Sequence, residues 1–345
     1  MRDNDEKRYV WLVGGGAILA LILLTVLISV LKRNQPPSAS QAPVAAPQDK
    51  DKNGKKKKSK TQAPEGQQPM AWTGGATHES SGVAAVPGTD QFLFVDDKDS
   101  SNIYAVTIDT AGKQSSELIP VPLGVTVEDA EDITFDGTYF YVVGSQFRKQ
   151  SNVGAGLVRF RYDANSHAVS DLQSVKDLKT PLIKTVPELA VAQGQMRTEE
   201  AINIEGLGWD PQNNRLLLGL RNPVVDGKAV LVPVSLKDGN APLSDENISF
   251  GTAVKLDLGG LAIRSINYDP GAGHFVIIGG ATEGAENEGF SLWSWDGAGA
   301  TAKLMDLDKK IKPEGITAVD RNGELSLLVV GDAGYYMTLA EPAQQ

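Results

Sequence analysis

The sequence repeats one local pattern five times, and this repetition constrains the fold more than any other feature. Each unit has a short apolar run opened by small or charged residues, a turn rich in Asp, Gly, Pro or Asn, and a second apolar run. Such turn residues supply the positive φ angles of tight hairpins, so each unit is predicted to be a β-hairpin. The units read SGVAAVPGTDQFLFVDD from Ser81, EDITFDGTYFYVVGS from Glu131, EGLGWDPQNNRLLLGLR from Glu205, RSINYDPGAGHFVIIGG from Arg264 and EGITAVDRNGELSLLVVGD from Glu314.

Most of these hairpins are followed by a third apolar run and often by a fourth. Four antiparallel strands per unit, with units starting 50, 74, 59 and 50 residues apart, are typical of β-propeller blades. We therefore expect an all-β fold, a five-bladed propeller. The long second interval, in which LIKTVPELAVAQGQM at 182–196 is a candidate short helix, leaves six blades as an alternative. A β-sandwich or two stacked β-domains is the competing architecture.

The last unit lacks an obvious fourth strand. The segment MAWTGGATH at 70–78 could supply that strand from the other end of the domain. This arrangement would close the ring and remove a free sheet edge.

The N-terminal part of the chain is predicted to be a membrane anchor. After an arm at 1–9, residues 10–31 read VWLVGGGAILALILLTVLISVL, without charge or proline and flanked by basic residues. About 20 apolar residues span a bilayer as a helix, whereas the apolar region of a cleaved signal peptide, the alternative, has only about 7 to 15. Residues 32–71 are rich in Pro, Ala, Gln and Lys and are predicted to be a disordered linker.

This organisation makes the membrane a partner through one helix and leaves 72–345 as the propeller domain. We favour a signal anchor in a single-pass protein of the cell membrane, with the domain outside the cytoplasm, in the periplasm. Basic residues lie on both sides of the helix, so the opposite orientation stays open.

The domain is strongly acidic. The arm and the linker together carry 12 basic and six acidic residues, which leaves 21 basic and 37 acidic residues for 72–345. Because such a surface repels phosphate backbones, nucleic acid is not an expected partner. The chain has no cysteine and three isolated histidines, and it lacks the motifs of serine hydrolases, P-loop nucleotidases and zinc proteases.

The candidate functional site is the mouth of the central channel. In a propeller, the residues that open the first strand and close the second strand of each blade lie near one face, so these positions should converge. They predict an acidic, arginine-bearing mouth that binds a small polar ligand, formed by Glu131, Asp132, Glu205, Arg221, Arg264, Glu314 and Asp332.

Two interpretations of the acidic positions remain open. Carboxylates from several blades offer the oxygen ligands that Ca²⁺ prefers, which makes Glu131, Asp132, Glu205 and Glu314 a candidate metal set, and Arg221 with Arg264 could bind a phosphate or carboxylate. Alternatively, each acid accepts hydrogen bonds from the backbone of a neighbouring blade and holds the ring together.

Parts of the sequence resemble a known family. The stretch NIEGLGWDPQNNRLLLGLRNPVVDGKAVLVPV from Asn203, with EDITFDGTYFYVVGS and PEGITAVD, resembles a bacterial family of secreted or membrane-linked propellers known only as a domain of unknown function. More distantly, the E-G-[LI] repeats resemble esterase-like phytases. The resemblance covers most of 72–339 and implies a propeller and an envelope location, but no reaction.

These features support two hypotheses of function. The first is a non-enzymatic module of the cell envelope that binds a partner protein or a small ligand through the mouth. The alternative is a Ca²⁺-dependent phosphoester hydrolase, in which Arg221 and Arg264 bind phosphate while a metal-bound water attacks.

Overall fold

The protein is a five-bladed, all-β propeller in a computed structural model that describes residues 67–74, 78–147, 154–187, 189, 202–282, 289–321 and 324–340. The predicted anchor at 10–31 and the linker up to residue 66 lie outside this range. Within the described part, no helix is long and apolar enough to cross a membrane. The anchor therefore stays a prediction.

Each blade is an antiparallel sheet whose strands follow one another outward from the channel. In the first half of the chain the strands are β1 (Met70–Ala71), β2 (Ser80–Ala85), β3 (Gln91–Asp96), β4 (Asn102–Thr107), β5 (Ile119–Pro122), β6 (Ala130–Phe135), β7 (Phe140–Gly144), β8 (Leu157–Asp163) and β9 (Ala168–Val175). In the second half they are β10 (Asn203–Asp210), β11 (Arg215–Val225), β12 (Lys228–Leu236), β13 (Ile248–Phe250), β14 (Val254–Leu256), β15 (Ala262–Asp269), β16 (His274–Gly280), β17 (Phe290–Trp295), β18 (Ala302–Leu307), β19 (Pro313–Arg321), β20 (Glu324–Gly331) and β21 (Tyr335–Ala340).

Blade 1 consists of β2 to β5, blade 2 of β6 to β9, blade 4 of β15 to β18, and blade 5 of β19 to β21 with β1. In blade 3, β10 to β12 are followed by an outer strand in two pieces, β13 and β14, which both pair with β12. A helix, α1 (Lys179–Thr185), follows blade 2. It lies at the start of the segment predicted to be helical, and no strand is found in the described residues between β9 and β10.

The predicted hairpin turns form because they contain residues that tolerate positive φ. Gly88, Gly137, Asn214 and Gly273 have φ angles of 74°, 99°, 51° and 73° in the first turns of blades 1 to 4. Asp136 also caps its turn, since its Oδ1 accepts hydrogen bonds from the amides of residues 138 and 139, both at 2.7 Å. The turn residues therefore act through the backbone, as the sequence pattern indicates.

The ring is closed by a strand from the N-terminal side of the domain, as predicted. In β1, Met70 pairs with Tyr336 of β21. Trp72 then stacks on Tyr336 and on Phe94 of blade 1, with ring centroids 4.2 and 5.1 Å apart. Gln67, inside the range assigned to the linker, is buried and donates to the carbonyl of Asp306 in blade 4 at 2.7 Å.

The hydrophobic core is divided into five clusters, one in each seam between neighbouring blades. In the closing seam, Val83 and Phe94 of blade 1 pack with Leu328 and Tyr336 of blade 5. The innermost strands contact each other around the channel, and β19 lies against β2. The starts of the inner strands carry a concentration of polar side chains, and the candidate site lies there.

Candidate functional site

The mouth of the channel is built from five equivalent β-bulges. In each innermost strand the register with the second strand shifts by one residue near the start, and the extra residue has no partner in the ladder. The five unpaired residues are Ser81, Glu131, Glu205, Arg264 and Glu314, which all line one cavity. A bulge turns its extra side chain out of the regular alternation, which explains why all five converge.

This cavity measures about 210 Å³ and is acidic. Its wall carries six carboxylic acids and two arginines, namely Asp97, Asp129, Glu131, Glu205, Glu314, Asp332, Arg221 and Arg264. The structure therefore brings together six of the seven residues that the sequence placed in the mouth, and Asp132 is the exception.

Asp132 points away from the cavity and joins the blades instead. Its side chain is 1% exposed, and its Oδ2 accepts hydrogen bonds from the amide of Leu207 at 2.8 Å and from the hydroxyl of Ser265 at 3.0 Å. Ser265 Oγ in turn accepts from the amide of Ile316 at 3.2 Å. The assignment of Asp132 to the ligand and metal set is corrected here, because the residue after the bulge faces the neighbouring strands.

Arg264 is the central cation of the mouth. It is 7% exposed, and its guanidinium donates two hydrogen bonds to the carboxylate of Glu314, with Nε 2.5 Å from Oε2. The same Nε lies 2.8 Å from Oε2 of Glu205. Arg264 therefore links blades 3, 4 and 5, and the surrounding carboxylates raise its pKa against the opposing effect of burial.

Glu205 is held from within its own blade as well. Its Oε1 accepts from Arg221 at 2.8 Å and from Nδ2 of Asn203 at 3.0 Å. Glu205 and Asn203 are both 3% exposed. Both arginines of the mouth are thus bound to carboxylates, which leaves the cavity with a surplus of negative charge.

The opposite side of the mouth carries a second group of acids. One ligand atom each of Glu79, Asp97 and Asp332 lies within 4.8 Å of the others. Lys98 pairs with Glu79, and Lys312 lies 2.7 Å from Asp332. Asp97 has no such partner among the described residues, and its buried Oδ1 has no hydrogen-bond donor.

Crowded acids perturb the protonation equilibria of the mouth. Burial and the charges of Asp332 and Asp129 raise the pKa of Asp97 to about 7. Burial also raises the pKa of Glu314 to about 7, although Arg264 opposes this shift. The pKa of Glu131 is raised well above its ordinary value by burial and by the charge of Glu205.

The four carboxylates predicted to hold Ca²⁺ do not form a common ligand set. Asp132 lies in the blade seams, while Glu205 and Glu314 are bound to arginines. Ca²⁺ takes six to eight oxygen ligands, which this arrangement does not offer. Within the described residues, the acids close enough to share a metal are Glu79, Asp97 and Asp332, and two of these are paired with lysines.

Besides Ser81 and Asp97, which open and close the first predicted hairpin, the cavity wall contains three residues that the sequence did not point to, namely Asp129, Asn203 and Phe147. Asp129 and Asn203 precede the bulge residues Glu131 and Glu205 by two positions. Asp129 lies just before β6 with a φ angle of 54°, and the register shifts on both sides of Ile204 break the alternation between Asn203 and Glu205, so this spacing does not identify them. Phe147 follows the second strand of blade 2, and no periodicity marks it.

The fold and the mouth define a five-bladed β-propeller with an acidic site built on bulges. A model of the family "Protein of unknown function (DUF3616)" matches residues 197–341, which correspond to blades 3 to 5. No curated protein has significant sequence similarity to the chain.

Several solved structures match the chain at very low identity. A glutaminyl cyclase from Myxococcus xanthus is 11% identical with a TM-score of 0.43, covering 81% of this chain and 98% of its own. A glucose dehydrogenase is 11% identical with a TM-score of 0.41, covering 79% and 99%. A putative gluconolactonase is 11% identical with a TM-score of 0.40, covering 81% and 94%. These values carry no information about activity, and the resemblance to esterase-like phytases stays a prediction.

Proposed function

We propose that this protein is a non-enzymatic binding module whose channel mouth holds a small polar ligand. The observation that carries the proposal concerns the start of the inner strands, where the residues after the bulges join the blades and the bulge residue Glu131 lines the cavity. Asp132 and Ser265, which follow bulges, hold the blades together through backbone amides. The bulge residue Glu131, by contrast, faces a cavity and takes no part in the ladder.

The polar groups of the mouth are also incompletely satisfied. Buried polar atoms are normally hydrogen-bonded, because leaving one without a partner costs about 1 to 3 kcal/mol. Asp97, Asn203 and Glu205 nevertheless each have a buried oxygen without a hydrogen-bond donor, and all three residues line the cavity. Unsatisfied groups around a cavity indicate a ligand that completes their bonds.

The geometry favours binding over phosphoester hydrolysis. The hydrolase hypothesis requires a calcium set and two arginines available for phosphate. The calcium set is not assembled, and Arg221 and Arg264 already contact Glu205 at 2.8 Å. A phosphate would have to displace these carboxylates while facing several others.

The test is thermal unfolding of the full chain with separate classes of small ligand: amines, calcium, carboxylic acids, phosphate and neutral sugars. A ligand at about 100 times its Kd stabilises the folded state by about 2.7 kcal/mol, which raises the Tm by several degrees. We expect at least one class to do so, and Glu131→Gln to abolish the shift. Glu246→Gln, the same charge change at an exposed residue outside the cavity, should preserve it.

If no class raises the Tm, or if Glu131→Gln responds as the wild type does, the mouth is not the binding site.

The cellular setting is part of the proposal. It is supported by the uncharged segment at 10–31 and its basic flanks, which favour a single-pass anchor with the propeller in the periplasm. A compartment-dependent reporter fused after Gln345 tests it. Reporter activity in the cytoplasm alone would contradict this orientation.

A further inference from the structure

Three buried oxygen atoms on the wall of the mouth lack a hydrogen-bond donor: Oδ1 of Asn203, Oε2 of Glu205 and Oδ1 of Asp97. The orientation of the Asn203 amide follows from its surroundings, because its Nδ2 donates to Glu205 Oε1 at 3.0 Å. Its oxygen is consequently the atom without a partner. The Asn203 oxygen and the oxygens of ionised carboxylates accept hydrogen bonds, so the partner that completes them is a donor.

Glu205 Oε2 shows how a buried oxygen of the mouth lacks a hydrogen-bond donor. It lies 2.8 Å from Nε of Arg264, but the single N–H of that nitrogen is donated to Glu314 at 2.5 Å. Glu205 therefore receives the charge of Arg264 without its hydrogen bond. A buried carboxylate in this situation gains most from a charged donor, since charge-assisted hydrogen bonds are the stronger ones.

The electrostatics of the cavity agree with this requirement. Six carboxylic acids face two arginines. Burial, together with the charges of neighbouring acids, raises the pKa of Asp97 to about 7 and also raises that of Glu131, and a positive ligand relieves the part that comes from the neighbouring charges. An anionic ligand would increase the same repulsion.

The cation is better matched by an organic ammonium ion than by a metal ion. Among the described residues, Glu205 belongs to no group of three acidic or histidine side chains that could share a metal, and Asp97 belongs to one in which Glu79 and Asp332 are already paired with lysines. The cavity of about 210 Å³ is larger than a bare ion requires. Phe147 adds an aromatic ring to the wall, which suits an organic cation.

We infer that the ligand of the mouth is a small organic ammonium ion, whose N–H groups donate to Asn203, Glu205 and Asp97. This inference rests on the proposed function of the mouth as a ligand site and names the chemical class of the ligand.

Isothermal titration calorimetry of the full chain tests the inference with five probes: methylammonium, putrescine, choline, Ca²⁺ and citrate. We expect saturable binding of one of the two amines that carry N–H groups, and weaker binding of choline, which has none on its nitrogen. Glu205→Gln and Asp97→Asn should each weaken amine binding by about tenfold or more, because each removes a charged acceptor. Glu246→Gln is the matched control and should bind as the wild type does.

The other outcomes separate the two proposals. Citrate binding that Glu205→Gln changes, without amine binding, would overturn the ammonium assignment and keep the mouth as a ligand site. Ca²⁺ binding alone would show that the cation is a metal. Tight choline binding would remove the role of N–H donors. No binding by any probe overturns the ammonium assignment, while the wider thermal panel decides the proposed function separately. Far-ultraviolet circular dichroism checks folding, and if Glu205→Gln does not fold, Asp97→Asn decides.

Discussion

Arg264 provides the sharpest test of how the mouth is held together. Replacing it with Met keeps most of the side-chain volume but removes the cation that joins Glu205 of blade 3 to Glu314 of blade 5. All three side chains are less than 10% exposed. The substitution therefore leaves two buried carboxylates, of which Glu205 keeps its contacts with Arg221 at 2.8 Å and with Asn203 at 3.0 Å.

The expected cost is large and depends on pH. Breaking a buried ion pair by removing one partner costs about 3 to 5 kcal/mol. A carboxyl group that must be protonated in the folded protein costs about 1.4 kcal/mol for each pH unit above its ordinary pKa of about 4.3. Neutralising one buried carboxyl group thus costs about 3 to 4 kcal/mol at pH 7 and about 1 kcal/mol at pH 5.

The sign follows from the direction of the pKa shift. Arg264 opposes the raised pKa of Glu314, so its loss raises that pKa further, and the stability that this carboxyl group contributes is present at low pH and is lost as the pH rises. We expect Arg264→Met to lower the free energy of unfolding by about 3 to 5 kcal/mol at pH 7 and by about 2 kcal/mol less than that at pH 5.

Urea unfolding of the full chain, followed by tryptophan fluorescence at both pH values, measures the effect. Lys255→Met is the matched control, because Lys255 pairs with Asp226 at 2.8 Å and that carboxylate is 78% exposed. An exposed pair contributes at most about 1 kcal/mol. A loss below about 1 kcal/mol for Arg264→Met at pH 7, or an equal loss at both pH values, would refute the reasoning.

Three further predictions concern other parts of the ring. Gly331→Ala places a Cβ 1.9 Å from the carbonyl oxygen of Ile311 and should lower the free energy of unfolding by about 2 to 3 kcal/mol. Gly239→Ala is the control, because its Cβ meets no atom within 4 Å. Equal urea midpoints for the two variants would contradict this prediction. Trp72→Ala removes the stacking on Phe94 and Tyr336 at the closing strand and should lower the Tm. An unchanged Tm would show that this stacking does not stabilise the closed ring. The pKa of Asp97 is raised from 3.8 to about 7, so its contribution to stability is lost as the pH rises through 7. The Tm of Asp97→Asn minus that of the wild type should therefore be larger at pH 8 than at pH 5. An equal difference at both pH values would argue against the raised pKa of Asp97.

The repeat made most of the fold predictable. The turns contain residues suited to positive φ, such as Gly88 and Asn214, so the hairpins follow from local chemistry. The closing strand was predictable because a fifth blade with three strands has a free edge. The segment around Met70 was the remaining apolar stretch that could pair with that edge. The division of the outer strand of blade 3 into β13 and β14 has no counterpart in the apolar pattern.

The site was predictable only to within one residue. Successive residues of a regular strand face opposite sides, so Glu131 and Asp132 could not both be placed from alternation alone. The bulge decides between them: Glu131 is the extra residue, and Asp132 resumes the ladder opposite Val143. The pairing of Arg264 with Glu314, 50 positions away, depends on the closeness of blades 4 and 5, which local patterns do not encode.

The bulges place five side chains in the cavity without using them in the strand ladder. Glu205, Arg264 and Glu314 also join blades 3, 4 and 5 through ion pairs, whereas a substitution at Ser81 or Glu131 changes the chemistry of the cavity and leaves those ion pairs in place. Ser81, the smallest of the five, marks the position where a longer side chain could enter the cavity from blade 1. The same scaffold could thus be given a new ligand preference by replacing these side chains one at a time.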